Sequence, residues 1–138
     1  NLFMVRFAAG MINTFVGEGD AAIGHFAHAM RLSPLDPGMS ALIVGTGMAH
    51  LVSGRYDEAL AAAQRTVKES PNFASGHRLM LVALGYLGRL EEAKLAARRM
   101  LELTPGITVS RTNSVSPFKD PELRKRGAEI YRAAGIPK

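Results

Sequence analysis

The chain has 138 residues, 47% of them hydrophobic and 21% charged, with a formal net charge of +5. That is one domain's worth of an ordinary globular composition. No cysteine is present, which excludes disulfides and thiolate chemistry and suits a reducing compartment. The longest uncharged apolar stretch, Ala41 to Val52, is broken by Gly45, Thr46, Gly47 and His50. A membrane span needs about 20 residues, so a buried helix is expected there instead. No signal peptide is visible, and the first residues already read as helix. The sequence reads as a piece of a longer, cytoplasmic protein. Its charge is uneven: +1 over residues 1–110 and +4 over residues 111–138.

Along the chain, one short pattern returns. Gly17-Glu18-Gly19-Asp20-Ala21-Ala22-Ile23 precedes Gly54-Arg55-Tyr56-Asp57-Glu58-Ala59-Leu60 by 37 residues, and Gly88-Arg89-Leu90-Glu91-Glu92-Ala93-Lys94 follows the latter by 34. A period near 34 with a turn glycine, an acidic pair and an alanine is the spacing of a stacked helix-turn-helix repeat. Such a unit cannot bury its apolar face alone, so its neighbours become part of its core.

The first repeat runs over residues 3–36, with Gly10 in its first helix, Ala22, Phe26 and Ala29 in its second, and Pro34 after it. Leu35-Asp36-Pro37 reads as a three-residue insertion, Asp36 capping the next helix and Pro37 opening it. The second repeat covers residues 40–73 and closes at Pro71; the third covers 74–107 and closes at Pro105. Ala22, Ala59 and Ala93 fall where the two helices of each hairpin come closest, and Gly10 and Gly47 serve the same approach. A mid-helix glycine costs about 1 kcal/mol against alanine, so close packing has to repay it. Gly54 and Gly88 end helices, where glycine accepts a left-handed conformation.

Residues 107–117, rich in β-branched and small polar side chains, read as extended or irregular. Then Asp120-Pro121-Glu122 gives a cap, a first-turn proline and a first-turn carboxylate. Leu123, Ile130, Tyr131 and Ala134 form the apolar stripe of a helix stopped by Gly135-Ile136-Pro137. A repeat stack needs a cap, and this helix is expected to supply it. Residues 1–110 then form the repeat domain, and 111–138 an irregular linker and capping helix.

These strings resemble the tetratricopeptide repeat (TPR), which implies an all-α solenoid of three hairpins plus the capping helix. The large aromatic that usually opens the first helix is replaced by Arg6, Ile43 and His77. The alanine usual late in the second helix is Ala29, then Thr66 and Met100. A narrower resemblance rests on Ala29-Met30-Arg31-Leu32-Ser33-Pro34-Leu35-Asp36-Pro37, on Pro117-Phe118 with Asp120-Pro121-Glu122, and on Arg132-Ala133-Ala134-Gly135-Ile136-Pro137. They look like the C-terminal TPR segment of bacterial class III adenylate/guanylate cyclase proteins and related multidomain regulators. That resemblance implies a sensory or scaffold segment; no cyclase catalytic motif is present to carry over.

Catalytic chemistry finds little support. His25 and His28 lie one turn apart, but no carboxylate or thiolate partner accompanies them, so metal binding is not expected. Gly45-Thr46-Gly47 starts like a dinucleotide loop but has His50 at the third glycine's place and follows no strand. The Asp57/Glu58 and Glu91/Glu92 pairs recur with the repeat and open helices, where carboxylates suit the dipole. In the tail, Arg111, Lys119, Arg124, Lys125, Arg126 and Arg132 are interrupted by Asp120, Glu122 and Glu129, which argues for a solvated face over a phosphate-binding one. No enzyme activity, cofactor, nucleic acid or membrane partner is expected.

The remaining candidate is the concave face, which in a TPR stack is lined by the first helix of each repeat. By register it comprises Met4, Phe7, Met11 and Phe15, then Val44, Met48, Leu51 and Val52, then Arg78, Val82 and Tyr86. This is an apolar, methionine-rich surface with one cation, suited to varied apolar partners. Chaperone-binding TPRs grip a C-terminal carboxylate here with Lys, Arg and Asn. Phe7, Met11, Gly45 and Leu79 stand at the equivalent places, so no such clamp is expected. Two functions remain open. One is an interaction module taking an apolar or amphipathic helix from a protein partner, from an upstream domain or from a second copy. The other is a structural spacer or oligomerisation segment whose groove is filled by its own tail, with 107–115 folding back onto it, or by a second copy.

Overall fold

The computed structural model describes residues 1–138. Six helices of near-equal length form three antiparallel hairpins: α1 (Leu2–Phe15) with α2 (Gly19–Leu32), α3 (Met39–Val52) with α4 (Tyr56–Glu69), and α5 (Ala74–Tyr86) with α6 (Leu90–Leu103). A short α7 (Val109–Ser114) and a final α8 (Pro121–Ala133) complete the chain.

The echoed residues build the hairpins. Gly17, Gly54 and Gly88 take φ of 85°, 78° and 74°, a left-handed turn that any side chain would strain. Ala22, Ala59 and Ala93 are completely buried between the helices they join. Methyl-sized side chains there let the backbones approach, and burial of the larger side chains around them supplies the stabilisation. Thr66 and Met100, which depart from the usual alanine, are completely buried too. The carboxylates of Asp57, Glu58, Glu91 and Glu92 sit in first turns, where the helix dipole favours them.

Two local expectations change. Helix α3 starts at Met39 with Gly38 as its cap residue, not at Pro37; Asp36 still contributes, its Oδ1 accepting from the Gly38 N–H at 2.7 Å. Residues 109–114 are helical, not extended or irregular. Thr108 caps α7 by accepting from the Arg111 N–H at 3.1 Å, and Val109 is buried in the main core. A cap and one buried anchor outweigh weak helix propensity over a single turn.

The main core joins hairpins two and three to the tail: Leu81, Met100, Ile107, Val109, Ile130, Tyr131 and Ile136 belong to one buried cluster. A smaller cluster around Phe26 joins hairpins one and two. Helix α8 leans on α5 more than on α6, Ile130 resting directly on Gly85. The cap is thereby drawn toward the inner curve of the stack.

Candidate functional site: a cavity on the concave face

Helices α1, α3 and α5 line the concave face. Side chains three and four apart along each helix share that face, so Phe7, Met11 and Phe15 line up on α1, and Val44, Met48, Leu51 and Val52 on α3. Arg78, Val82 and Tyr86 do so on α5. Ten of the eleven expected residues therefore surround one cavity of about 400 Å³. Met4 does not: it lies beyond the cavity's end and is 54% exposed.

The opposite wall comes from the tail. Val109, Thr112, Asn113, Val115, Pro117, Phe118, Leu123, Arg124 and Tyr131 face the concave helices across the same space. Phe118 meets Phe15 edge-on, and the Lys119 N–H donates to the Phe15 carbonyl at 2.9 Å. Arg124 holds this crossing from behind, its Nη1 donating to the carbonyls of Phe118 and Lys119. The Val109 N–H donates to the Pro137 carbonyl at 2.8 Å. The tail thus runs from the third hairpin across the groove to the end of α1. Phe73 also lines the space; it precedes α5 and escaped the helical register.

The lining contains no carboxylate, and Arg78 and Arg124 are its only charges. Arg78 forms no ion pair with any Asp or Glu, whereas Arg124 is engaged by the two tail carbonyls. Burial raises the pKa of the Tyr131 hydroxyl, with nearby Arg78 opposing that shift. Burial also raises that of Tyr86, whose ring stacks on Tyr56 at 4.6 Å and lies under the Arg126 guanidinium at 5.9 Å. Both tyrosines therefore stay protonated at neutral pH, and the cavity is an apolar chamber with a positively charged rim.

The histidines have other work. His25 Nδ1 lies 3.2 Å from Arg6 Nη1, and His77 Nε2 donates to the Pro71 carbonyl at 2.7 Å. No three His, Asp or Glu side chains gather as a metal would require. No helix is long and apolar enough to cross a membrane.

Solved structures share this architecture. The first TPR of Spaghetti (RPAP3), bound to the HSP90 peptide SRMEEVD, aligns with a TM-score of 0.68 at 21% identity, over 95% of this chain and 94% of its own. The fold is a TPR solenoid. The second TPR domain of human RPAP3, in complex with the HSP70 peptide SGPTIEEVD, aligns at 0.63 with 17% identity, over 93% of this chain and 97% of its own. MamA aligns at 0.64 with 16% identity, over 96% of this chain and 75% of its own. No protein-family model matches the sequence, and no curated protein does.

Proposed function

We propose that this TPR solenoid is a non-enzymatic interaction module that receives an apolar or amphipathic helical segment of a protein partner on its concave face. The observation that carries the reading is the cavity of about 400 Å³ between α1, α3, α5 and the tail. A space of that size suits a few large apolar side chains. A helix about 10 Å across needs more room, so its entry displaces residues 107–118 while its anchors take the cavity. The peptide complexes of both RPAP3 domains support peptide capture as a use of this fold. Phe7, Met11, Gly45 and Leu79, which stand where chaperone-binding TPRs carry polar clamp residues, favour apolar anchoring over carboxylate gripping.

The test is a screen of amphipathic helical peptides by fluorescence anisotropy, with SRMEEVD as a comparison. Apolar peptides bind, SRMEEVD does not, and Met48→Glu or Val82→Glu weakens binding at least about tenfold, or 1.4 kcal/mol. Peptide binding untouched by both substitutions in folded protein would overturn the reading. The competing reading, a spacer whose groove its own tail fills, draws on the tail residues in the cavity wall. A chain that binds no peptide even after tail opening by Phe118→Ala would favour it.

The wider context is also a proposal. The strings Ala29–Pro37, Pro117–Glu122 and Arg132–Pro137 support a regulatory or scaffold segment of a larger bacterial, cytoplasmic signalling protein of the class III cyclase kind. Co-purification of a cyclase activity with the native full-length polypeptide tests it, and a native polypeptide without such a domain refutes it.

A further inference from the structure

The two ends of the stack are finished differently. At the C-terminal end, Met100 is completely buried, and Ile107 and Ile136 are at most 8% exposed. At the other end, Leu2, Val5, Ile12 and Val16 of α1 are 52%, 60%, 63% and 45% exposed. With half-buried Ala9 they recur at intervals of three and four residues, an apolar stripe down one side of the helix. That side differs from the one holding Phe7, Met11 and Phe15 in the cavity and from the one holding Gly10 against Phe26.

The repeat itself shows what belongs on this stripe. Shifted by 37 and then 34 residues, Val5 corresponds to Leu42 and Gly76, and Ile12 to Ala49 and Ala83. Leu42, Ala49 and Ala83 are completely buried, and Gly76 is buried as well. The second helix of the preceding hairpin packs on this row, with Leu42 and Ala49 in one cluster with Ala22, Phe26 and Ala29 of α2. Gly19 of α2 lies against the Ala49 carbonyl and the Ser53 hydroxyl, and Thr66 of α4 lies against Gly76. In α1 the same positions carry Val5 and Ile12, both apolar, and both meet solvent.

We propose that this face of α1 docks the second helix of another hairpin of the same repeat type. Its chemistry is that of α2: an amphipathic helix with glycine and alanine on the contact row. The isoleucine at position 12, where α3 and α5 have alanine, calls for a glycine-sized residue opposite, as Gly19 provides for α3. The surface is independent of the concave cavity and stands whether or not the cavity binds a peptide.

The experiment duplicates the first hairpin: residues 1–37 are fused directly ahead of Asn1, which keeps the 37-residue register. Ile12→Asp is then placed in the inner copy, in the outer copy, and in the 138-residue chain, and thermal midpoints are measured. The expected result is a fall of about 5 °C for the inner copy and no change for the outer copy or the parent chain. Equal effects at all three positions, or none at the inner copy, would overturn the proposal. So would a parent chain that runs as a dimer by light scattering and turns monomeric with Ile12→Asp, which would assign the face to a second copy.

Discussion

Phe118 stands edge-on to Phe15, ring centroids 5.5 Å apart and planes at 87°. The contact joins the tail to the first hairpin and turns an open groove into a walled cavity. Edge-to-face pairs add about 0.5–1.5 kcal/mol to the burial of the rings themselves. Phe118→Ala should therefore cost about 1–2 kcal/mol. Amide exchange should accelerate across residues 107–119 while α3 to α6 keep their protection. Binding of a fluorescent apolar dye should rise as the cavity opens. Unchanged exchange in the tail would show that the wall is held elsewhere.

A second relationship fixes hairpin one against hairpin two. Phe26 is completely buried, and its ring fits between two glycines: a Cβ on Gly10 would come within 2.6 Å of it, and one on Gly45 within 2.7 Å. Gly45→Ala should therefore destabilise by about 1–3 kcal/mol despite alanine's better helix propensity. In a Phe26→Leu background, the same substitution should cost less than about 1 kcal/mol, because the obstructing ring edge is gone. Denaturant midpoints of the four proteins give the coupling directly. Additive effects would mean that the backbone, not the ring, resists the methyl group.

The three hairpins were legible because glycine turns and alanine contacts leave their mark at a fixed period. The concave row was legible for the same reason: once α1, α3 and α5 are placed, helical periodicity assigns one face of each. Met4 falls outside the cavity because periodicity gives a face but not where along the helix the cavity ends. The last helix was legible from Asp120-Pro121-Glu122 and Gly135, but residues 107–117 were not. Thr108, Val109, Ser110 and Thr112 are weak helix formers, and what makes them a helix is a cap and the burial of Val109. That Phe118 crosses to Phe15 depends on chain path, which no local pattern encodes. Its one signal was a lone aromatic in a polar stretch before Asp120. The exposed stripe of α1 was visible as sequence, but its meaning came from comparing burial at equivalent positions.

Gly85 tests how α8 is seated. Ile130 presses on its Cα, and a Cβ there would overlap the isoleucine side chain, with Cγ1 at 2.7 Å. Gly85→Ala should lower stability by about 1–3 kcal/mol through overpacking. With Ile130→Ala already present, it should instead raise stability by up to about 1 kcal/mol, since helix propensity then acts alone. Chemical denaturation reads that change of sign. A loss in both backgrounds would place the obstruction on something other than α8.

The last prediction concerns the arginine of the echoed string. Arg55 Nε donates to His50 Nδ1 at 2.9 Å, and its Nη2 reaches Asp20 Oδ1 at 2.9 Å, so one guanidinium ties α2 to the end of α3. His50 must keep a lone pair on Nδ1 to accept that bond, which an imidazolium cannot do. Desolvation and then the charge of Arg55 hold its pKa below the ordinary 6.5. Because the folded value is the lower one, the unfolded chain binds more protons as pH falls through about 6.5. The contribution is therefore complete above that pH and lost on acidification toward the folded value. Thermal midpoints should fall between about pH 7.5 and about 5.5, and His50→Gln, whose amide oxygen can still accept from Arg55, should flatten that fall. Identical pH profiles for the two proteins would show that His50 does not couple protonation to folding.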